Sequence, residues 1–456
     1  MGATRYASVL GLGFGDCGKG HFVDALTRRW QAHSVVRFNG GAQAGHNVVT
    51  SPESGSTGRR HTFSQFGAGT LVSGARTLLL DPVVVHPTAL LVEADALGRI
   101  GVHDALSRLG IDAQCRITTP YHQAAGRLRE CLRGAAAHGT CGVGVGETVR
   151  HALEHPRQVF RYADLFPVST ANSNAQLDKL QSIRETLLAE LALQCSDSGD
   201  AALIAELQIL QDEAIAGKWL TSAQALARQC PPKSEDAIRS QLHQPGCVLF
   251  EGAQGILLDE WRGFHPHTTW SSITTSAVNA VAARFEIRAL IEHYGVLRTY
   301  LTRHGVGPLP THDEILDDQL PEPHNSGDGW QGSFRRGHPD SVLLRYALEA
   351  VGQLSGLLVS HLDVFDRGVK LRWCESYSGE SLPQPSTLLS RIPFSGDKNL
   401  THQSKLTDLL LKVRPEYASD PIDSAQAFLN RIASVTDLPV ILRSYGATCV
   451  DVAGEE

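Results

Sequence analysis

Apolar runs at residues 6–11, 34–38, 77–81, 246–250, 289–294, 356–360 and 438–443 are short and bounded by glycine or polar residues. Between them lie stretches in which apolar positions recur every three or four residues. This alternation predicts an α/β fold: a large mixed, mainly parallel central sheet flanked by helices. Ligands of such sheets gather at the C-terminal ends of the strands, so the turns that follow the apolar runs are the places to look for chemistry. Between about Asn174 and Gln229 the pattern becomes helical throughout. LQSIRETLLAELALQ and LIAELQILQDEAIA, separated by Ser196 to Asp200, read as a helical hairpin inserted as scaffold. Residues 378–403 are rich in Ser, Pro and Gly and predict a surface loop. No internal repeat is seen, and residues 1–456 read as one domain carrying the helical insertion.

The first run opens into GFGDCGKG, Gly13 to Gly20, with a helix predicted from Gly20 to Arg28. Glycines let backbone N–H groups approach an anion, Lys19 adds a point charge, and the helix turns its positive end toward the ligand. Gly13, Gly18 and Lys19 match the phosphate-loop spacing GxxxxGK, but Gly20 stands where a Ser or Thr would hold magnesium. Gly13, Gly15 and Gly18 also satisfy GxGxxG. The following run, Ser34 to Phe38, leads into Asn39 and two glycines with no acid to hold a ribose, which disfavours a dinucleotide site. Asp16 is the unusual member of the loop. A carboxylate beside phosphates is repelled unless it binds a metal or abstracts a proton.

Composition narrows the partners. The chain has 43 glycines, 21 prolines and a 42% hydrophobic content, as expected of an α/β protein with many strand-to-helix turns. A net charge of −7 argues against nucleic acid or an anionic membrane as the main partner. No apolar run reaches membrane-spanning length and the N-terminal stretch lacks a leader pattern, so a soluble, cytoplasmic protein is expected. The nine cysteines form no CxxC pair, which suits reduced thiols; Cys17 and Cys141 read as small filler residues in loops.

Three further turns carry polar groups. Asn39 to His46, NGGAQAGH, follows the second run. There the Gly45 carbonyl is placed to meet a metal, Gln43 to hydrogen-bond a polar ligand, and His46 to donate a proton or stabilise an oxyanion. Phe250 to Thr275 begins FEGAQG, in which Gln254, together with Thr269 further on, is suited to a small polar ligand or to turn chemistry alone. His265 and His267, two residues apart without a third ligand, make a weak metal signal. The run Gly356 to Val359 ends in SHLD, where Asp363 can accept from the two donors of guanine that adenine lacks. Ser444 and Gly446, after the last run, can pack on the same base.

In this order the blocks GFGDCGKGHFVDAL, VVRFNGGAQAGHNVV, TPYHQAAGRLRECLRGAAAHGTCGVGVGE, FEGAQGILLD, TRHGVGPLPT, SHLDVFD and RSYG resemble the adenylosuccinate synthetase family from the first loop to the last strand. The resemblance implies a homodimeric carbon–nitrogen ligase whose fold is related to that of phosphate-loop NTPases. It implies GTP and Mg2+, with IMP phosphorylated on its 6-oxo group and aspartate then displacing the phosphate. It assigns Asp16, His46, Lys19 and Gln254 to catalysis, and Asp16 with the Gly45 carbonyl to magnesium. Gly15, Gly18, Lys19, Gly20, Gly45, His361, Asp363, Ser444 and Gly446 fall to GTP. Gln43, Thr140, Cys141, Gln254, Leu258, Thr269 and His304 fall to the acceptor, and Ser333, Arg335 and Arg336 to the amine donor.

The departures from the family pattern concern the joined substrates. GWQGSFRRG, Gly329 to Gly337, keeps only Arg335 and Arg336 of a run of four arginines, with His338 as a speculative substitute. Two fewer guanidinium groups weaken the case for a dicarboxylate amine. In Gly139 to Glu147, GTCGVGVGE, Cys141, Val143 and Glu147 replace a threonine, an arginine and a proline, and a carboxylate near a phosphate is unfavourable. Arg150 and Arg157 are the candidates for a phosphate arginine supplied across subunits. Gln43 replaces an asparagine and His361 a lysine. A viral branch that uses dGMP is expected to carry serine at the position of Asp16, and this chain does not. Two other readings stand beside the default: a diverged ligase with another amine or 6-oxo acceptor, and a non-catalytic GTP-binding regulator.

Overall fold

The computed structural model describes residues 4–51, 58–195, 200–322, 325, 329–382 and 387–454. At its centre is a nine-stranded sheet. In chain order the strands are β1 (Arg5–Gly11), β2 (Ala32–Arg37), β3 (Arg76–Leu79), β4 (Leu109–Ile111), β5 (Cys247–Glu251), β6 (Ile291–Arg298), β7 (Gly356–Ser360), β8 (Val440–Ser444) and β9 (Val452–Ala453). Their spatial order is β9-β8-β7-β6-β1-β5-β2-β3-β4. All neighbours pair in parallel except β8 and β9, so the expected mainly parallel sheet is present. All seven apolar runs fall on its strands; β4 and β9, the edge strands, are too short to stand out in the sequence.

A sheet buried on both faces needs apolar residues of either parity, and β1 shows this directly. Tyr6 and Leu10 enter the apolar cluster on one face, whereas Ala7 and Val9 enter the cluster on the other. β1 lies between β5 and β6, with Val9 level with Glu251 of β5 and with Tyr294 of β6. Glu251 is in turn level with Arg37 of β2. The turns that follow these central strands therefore emerge side by side at the C-terminal edge.

The predicted hairpin at 174–229 is a set of three helices, Thr170–Cys195, Ala201–Gln211 and Ala214–Gln229. The break the sequence reading missed lies at Asp212, which leaves helical geometry and whose carboxylate accepts from the Ala214 N–H at 2.8 Å. Of the expected break, residues 196–199 lie outside the described residues, and Asp200 caps the second helix. Leu180, Ile183, Leu187 and Leu191 recur at helical spacing and are fully buried, which fixes the long helix to the body of the protein. The predicted loop at 378–403 overlaps a strand end and a helix start: Cys374–Ser378 is a strand, and Leu400–Leu410 is a helix capped by the Asn399 side chain. Residues 383–386 of that loop lie outside the described residues.

One histidine ties the sheet to pH. His293 in β6 is buried, and its Nδ1 is 2.7 Å from the Ser8 hydroxyl of β1. Burial pushes it down to about 4. The folded state therefore holds this ring neutral while the unfolded chain protonates it below about 6.5. Its contribution to stability is complete above that pH and is lost as pH falls toward 4. Chemical denaturation at pH 7.5 and pH 5 should show the wild-type midpoint falling more than that of His293→Gln.

Candidate active site

The turns after β1, β2 and β5 meet at backbone distance. A side chain on Gly255 would place its Cβ 2.2 Å from the carbonyl oxygen of Gly13, and one on Gly20 would come within 2.6 Å of the His46 Cβ. Only glycine allows these approaches. Between them Gln254 adopts a left-handed backbone, φ 57°, an uncommon conformation for a side-chain-bearing residue. The helix after the first loop runs Lys19–Arg29, one residue longer at each end than the pattern predicts.

Asp16 sits at the centre of this junction. Its carboxylate is 3.2 Å from the Nε2 of His304, and its backbone carbonyl accepts from Arg298 at 3.0 Å and from the Thr302 hydroxyl at 3.1 Å. Burial pushes the carboxyl group up, but His304, Lys19 and Arg298 outweigh it, so Asp16 is held below the ordinary carboxylate range. It is an ionised group at neutral pH. Lys19 is buried and its ammonium donates to the Gly15 carbonyl at 2.6 Å. His46 Nδ1 bonds the buried carboxylate of Glu251, whose other oxygen accepts from the Ala68 N–H at 2.9 Å. Burial pushes His46 down to about 4 despite that carboxylate. Burial opposes ionisation of Glu251, yet Arg37, His46 and the Ala68 N–H hold it below its usual range. A neutral His46 thus donates a hydrogen bond from its Nδ1–H to the Glu251 carboxylate, leaving Nε2 as the ring atom open to a ligand.

Around this junction lies a cavity of about 390 Å³. Its walls include Gly15, Asp16, Lys19, Gly45, His46 and every residue expected around an acceptor, from Gln43, Thr140 and Cys141 to Gln254, Leu258, Thr269 and His304. Both polar ends of Gln43 and of Gln254, and Nδ1 of His304, are buried without a hydrogen-bond partner. Such groups are costly to bury unless a ligand completes them. Oxygen donors suited to Mg2+ are present in Asp16 and the Gly45 carbonyl, which share this wall.

The residues expected to read guanine stand elsewhere. His361 and Asp363 follow β7, Ser444 ends β8 and Gly446 follows it, and none is in the cavity wall. They adjoin the other side of the first loop, where the Ser360 hydroxyl donates to the Cys17 carbonyl at 2.8 Å. His361 is left-handed at φ 61°, its Nδ1 is 2.8 Å from the Ser360 hydroxyl, and burial holds it neutral. The Ser444 hydroxyl is 2.8 Å from His21 Nε2 and donates to the Gly446 carbonyl at 3.0 Å. Asp363 lies 3.7 Å from Arg367.

The altered loops are arranged differently from the simple expectations. The Glu147 carboxylate bonds two arginines, Arg129 at 3.2 Å and Arg150 at 2.6 Å. Arg150 also pairs with Glu154 and Glu190, so this candidate phosphate arginine is already committed within its own chain, whereas Arg157 is exposed. Arg335 donates to the carbonyls of Gly305 at 2.6 Å and Gly307 at 2.8 Å. Arg336 donates to the Phe334 carbonyl and lies 3.7 Å from Asp317, and Ser333 is exposed. His338 is held between Asp313 at 3.1 Å and the Arg372 N–H at 3.2 Å, so it does not replace a missing arginine. His267 Nδ1 is 3.4 Å from the His138 carbonyl, and the histidine pair gathers no third ligand among the described residues.

Sequence reasoning overlooked Glu251, Arg298, Arg303 and Gln331. Glu251 lies one residue beyond the fifth-strand run and could have been noticed as a carboxylate ending an apolar strand. Gln331 donates to the Cys141 sulfur at 2.8 Å, which joins the two altered loops to each other; no local pattern signals that contact.

Paired glycine-rich turns, an ionised aspartate and a buried histidine at the C-terminal edge of a parallel sheet define a phosphate-handling enzyme site. Residues 8–452 match the family model for adenylosuccinate synthetase. Among curated relatives, adenylosuccinate synthetases of Alkalilimnicola ehrlichii and Syntrophotalea carbinolica are 32% and 31% identical, each alignment covering 96% of this chain and 95% of the relative. The fully ligated adenylosuccinate synthetase structure from Plasmodium falciparum superposes with a TM-score of 0.73 at 20% identity, over 99% of this chain and all of that one. A cyanophage S-2L succinoaminodeoxyadenylate synthetase bound to dGMP and dATP gives 0.58 at 14%, over 99% of this chain and 95% of the other. The chain belongs to the adenylosuccinate synthetase family and is a carbon–nitrogen ligase.

Burial pushes the Cys141 thiol up to about 11. Mass-spectrometric mapping after iodoacetamide treatment at pH 8 should show Cys141 reacting about ten-fold or more slowly than free cysteine, because the thiolate is the reactive form.

Proposed function

We propose that this chain uses GTP to phosphorylate the 6-oxo group of a purine-like acceptor and then replaces that phosphate with an amine. The observation that carries this reading is the placement of Asp16, Lys19, His46 and Gln254 around one cavity with the acceptor residues. Asp16, held ionised by His304, Lys19 and Arg298, accepts the proton from ring N1 as the 6-oxygen attacks the γ-phosphorus. Lys19 stabilises negative charge on the transferring group, and His46, oriented by Glu251, supports the reacting oxygen from its Nε2 side. GDP leaves. The amine then adds to C6 and gives up a proton, and inorganic phosphate departs with the former 6-oxygen.

Gln254 and Gln43 complete their unpartnered amide ends on the acceptor. Asp363 selects guanine on the far side of the first loop, with His361, Ser444 and Gly446 beside it. Mg2+, held by Asp16 and the Gly45 carbonyl, would supply charge neutralisation for the phosphates.

Joining IMP to aspartate is the default form of this reaction. A second form, in which the amine or acceptor differs, is favoured by the ties of Arg335 to two backbone carbonyls and of Arg336 to Phe334 and Asp317, which occupy part of each guanidinium group that a dicarboxylate would need. GTP-to-GDP conversion measured over a matrix of 6-oxo purines and amino acids, with product masses read directly, separates the two forms. Turnover with IMP and aspartate supports the default; turnover only with another pair supports the second; no acceptor-dependent turnover contradicts both. Asp16→Asn and His46→Ala should each lower kcat by about 10²–10⁴-fold. Unchanged cellular activity of Asp16→Asn would instead point to a non-catalytic regulator.

A further inference from the structure

The charges of the cavity wall give a more specific indication of its acceptor. The arginines in the wall, Arg129, Arg133, Arg150 and Arg303, all have protein partners already. Arg129 and Arg150 share Glu147 and Glu190, and Arg150 also meets Glu154, so two guanidinium groups face three carboxylates. Arg133 pairs with Glu130 at 2.9 Å. Arg303 donates to the carbonyls of Val306, Pro308 and His267, and burial pushes it down to about 9. Lys19 is on the first loop, beside Asp16 and the Gly15 carbonyl.

What the wall leaves unpartnered is neutral. Both the amide nitrogen and the amide oxygen of Gln43 are buried without a partner, and the Cys141 thiol is uncharged. An amide end that must both donate and accept is satisfied by hydroxyl or amide groups. A phosphate monoester offers almost only acceptors, would leave the Gln43 carbonyl oxygen opposed by negative charge, and would sit beside the Glu147 carboxylate.

We propose that the part of the cavity walled by Gln43, Thr140, Cys141 and Glu147 takes an uncharged, hydroxyl- or amide-bearing portion of the acceptor, so that the acceptor class is a nucleoside or free 6-oxo heterocycle and not a 5′-nucleotide. This rests on the proposed use of the cavity as the acceptor site and adds the determinant of its selectivity. Glu147 is the selecting group because, with Glu190 behind it, it holds the two arginines that a phosphate would otherwise engage.

Titration calorimetry of the wild-type protein with inosine and with IMP tests this without any substitution. Inosine is expected to bind at least as tightly as IMP, and Glu147→Gln is expected to shift the affinity ratio toward IMP by about ten-fold, as one released charge-assisted contact would give. A wild-type preference for IMP of more than about three-fold, well under one such contact, would overturn the proposal, as would failure of inosine to bind. If acceptor-dependent GDP release persists in that case, only the selectivity is refuted; if no 6-oxo purine supports GDP release, the underlying function falls with it.

Discussion

The site depends on backbone-to-backbone contact between turns that leave neighbouring parallel strands. Gly255 against Gly13 and Gly20 against His46 have no room for a single added carbon. These contacts follow from the strand order, in which β1 sits between β5 and β6 and β2 lies just beyond β5. Because Glu251 is level with Val9 and Arg37, its carboxylate ends β5 beside the second turn, where His46 starts a short strand outside the central sheet, His46–Val49. The position of the histidine is thus a consequence of sheet register.

Electrostatics then divide the site by task. Asp16 is kept anionic beside Lys19 and Arg298, as the proposed proton acceptance beside phosphate requires. His46 is kept neutral by burial although Glu251 opposes this, so in the proposed reaction it meets the polyanion with a polarised ring and not with a solvated cation. Away from the junction the cavity wall is electrically self-contained. The Arg129, Arg150 and Glu147 group is partly buried, and its members satisfy one another. A group closed in this way contributes shape and hydrogen-bonding geometry more than attraction for charge.

Much of this is legible in the amino-acid sequence. Seven of the nine sheet strands are apolar runs of distinctive length, and the first loop carries its chemistry in contiguous residues. The residues expected around an acceptor could be gathered only by resemblance, since Gln43, Thr140, Gln254, Thr269 and His304 are far apart in sequence and line one cavity through tertiary structure. The helix break at Asp212 was hidden because an aspartate and a glutamate in a helical pattern look like solvent-facing positions until one of them caps. The role of Glu147 was only half legible for a related reason. Beside an expected phosphate it reads as unfavourable, and the fold adds that Arg129 from the preceding helix, Pro120–Arg133, bonds it. The link from Gln331 to Cys141 spans two loops that are distant in sequence, and neither loop alone announces it.

The central claim is that the acceptor oxygen itself attacks the γ-phosphate. It is tested most directly by supplying an acceptor labelled with oxygen-18 at its 6-oxo position, together with GTP and the productive amine, and recovering the inorganic phosphate for mass spectrometry. Transfer of the label into phosphate, one atom per turnover, is the predicted result. Unlabelled phosphate, with the label released to water, would contradict it.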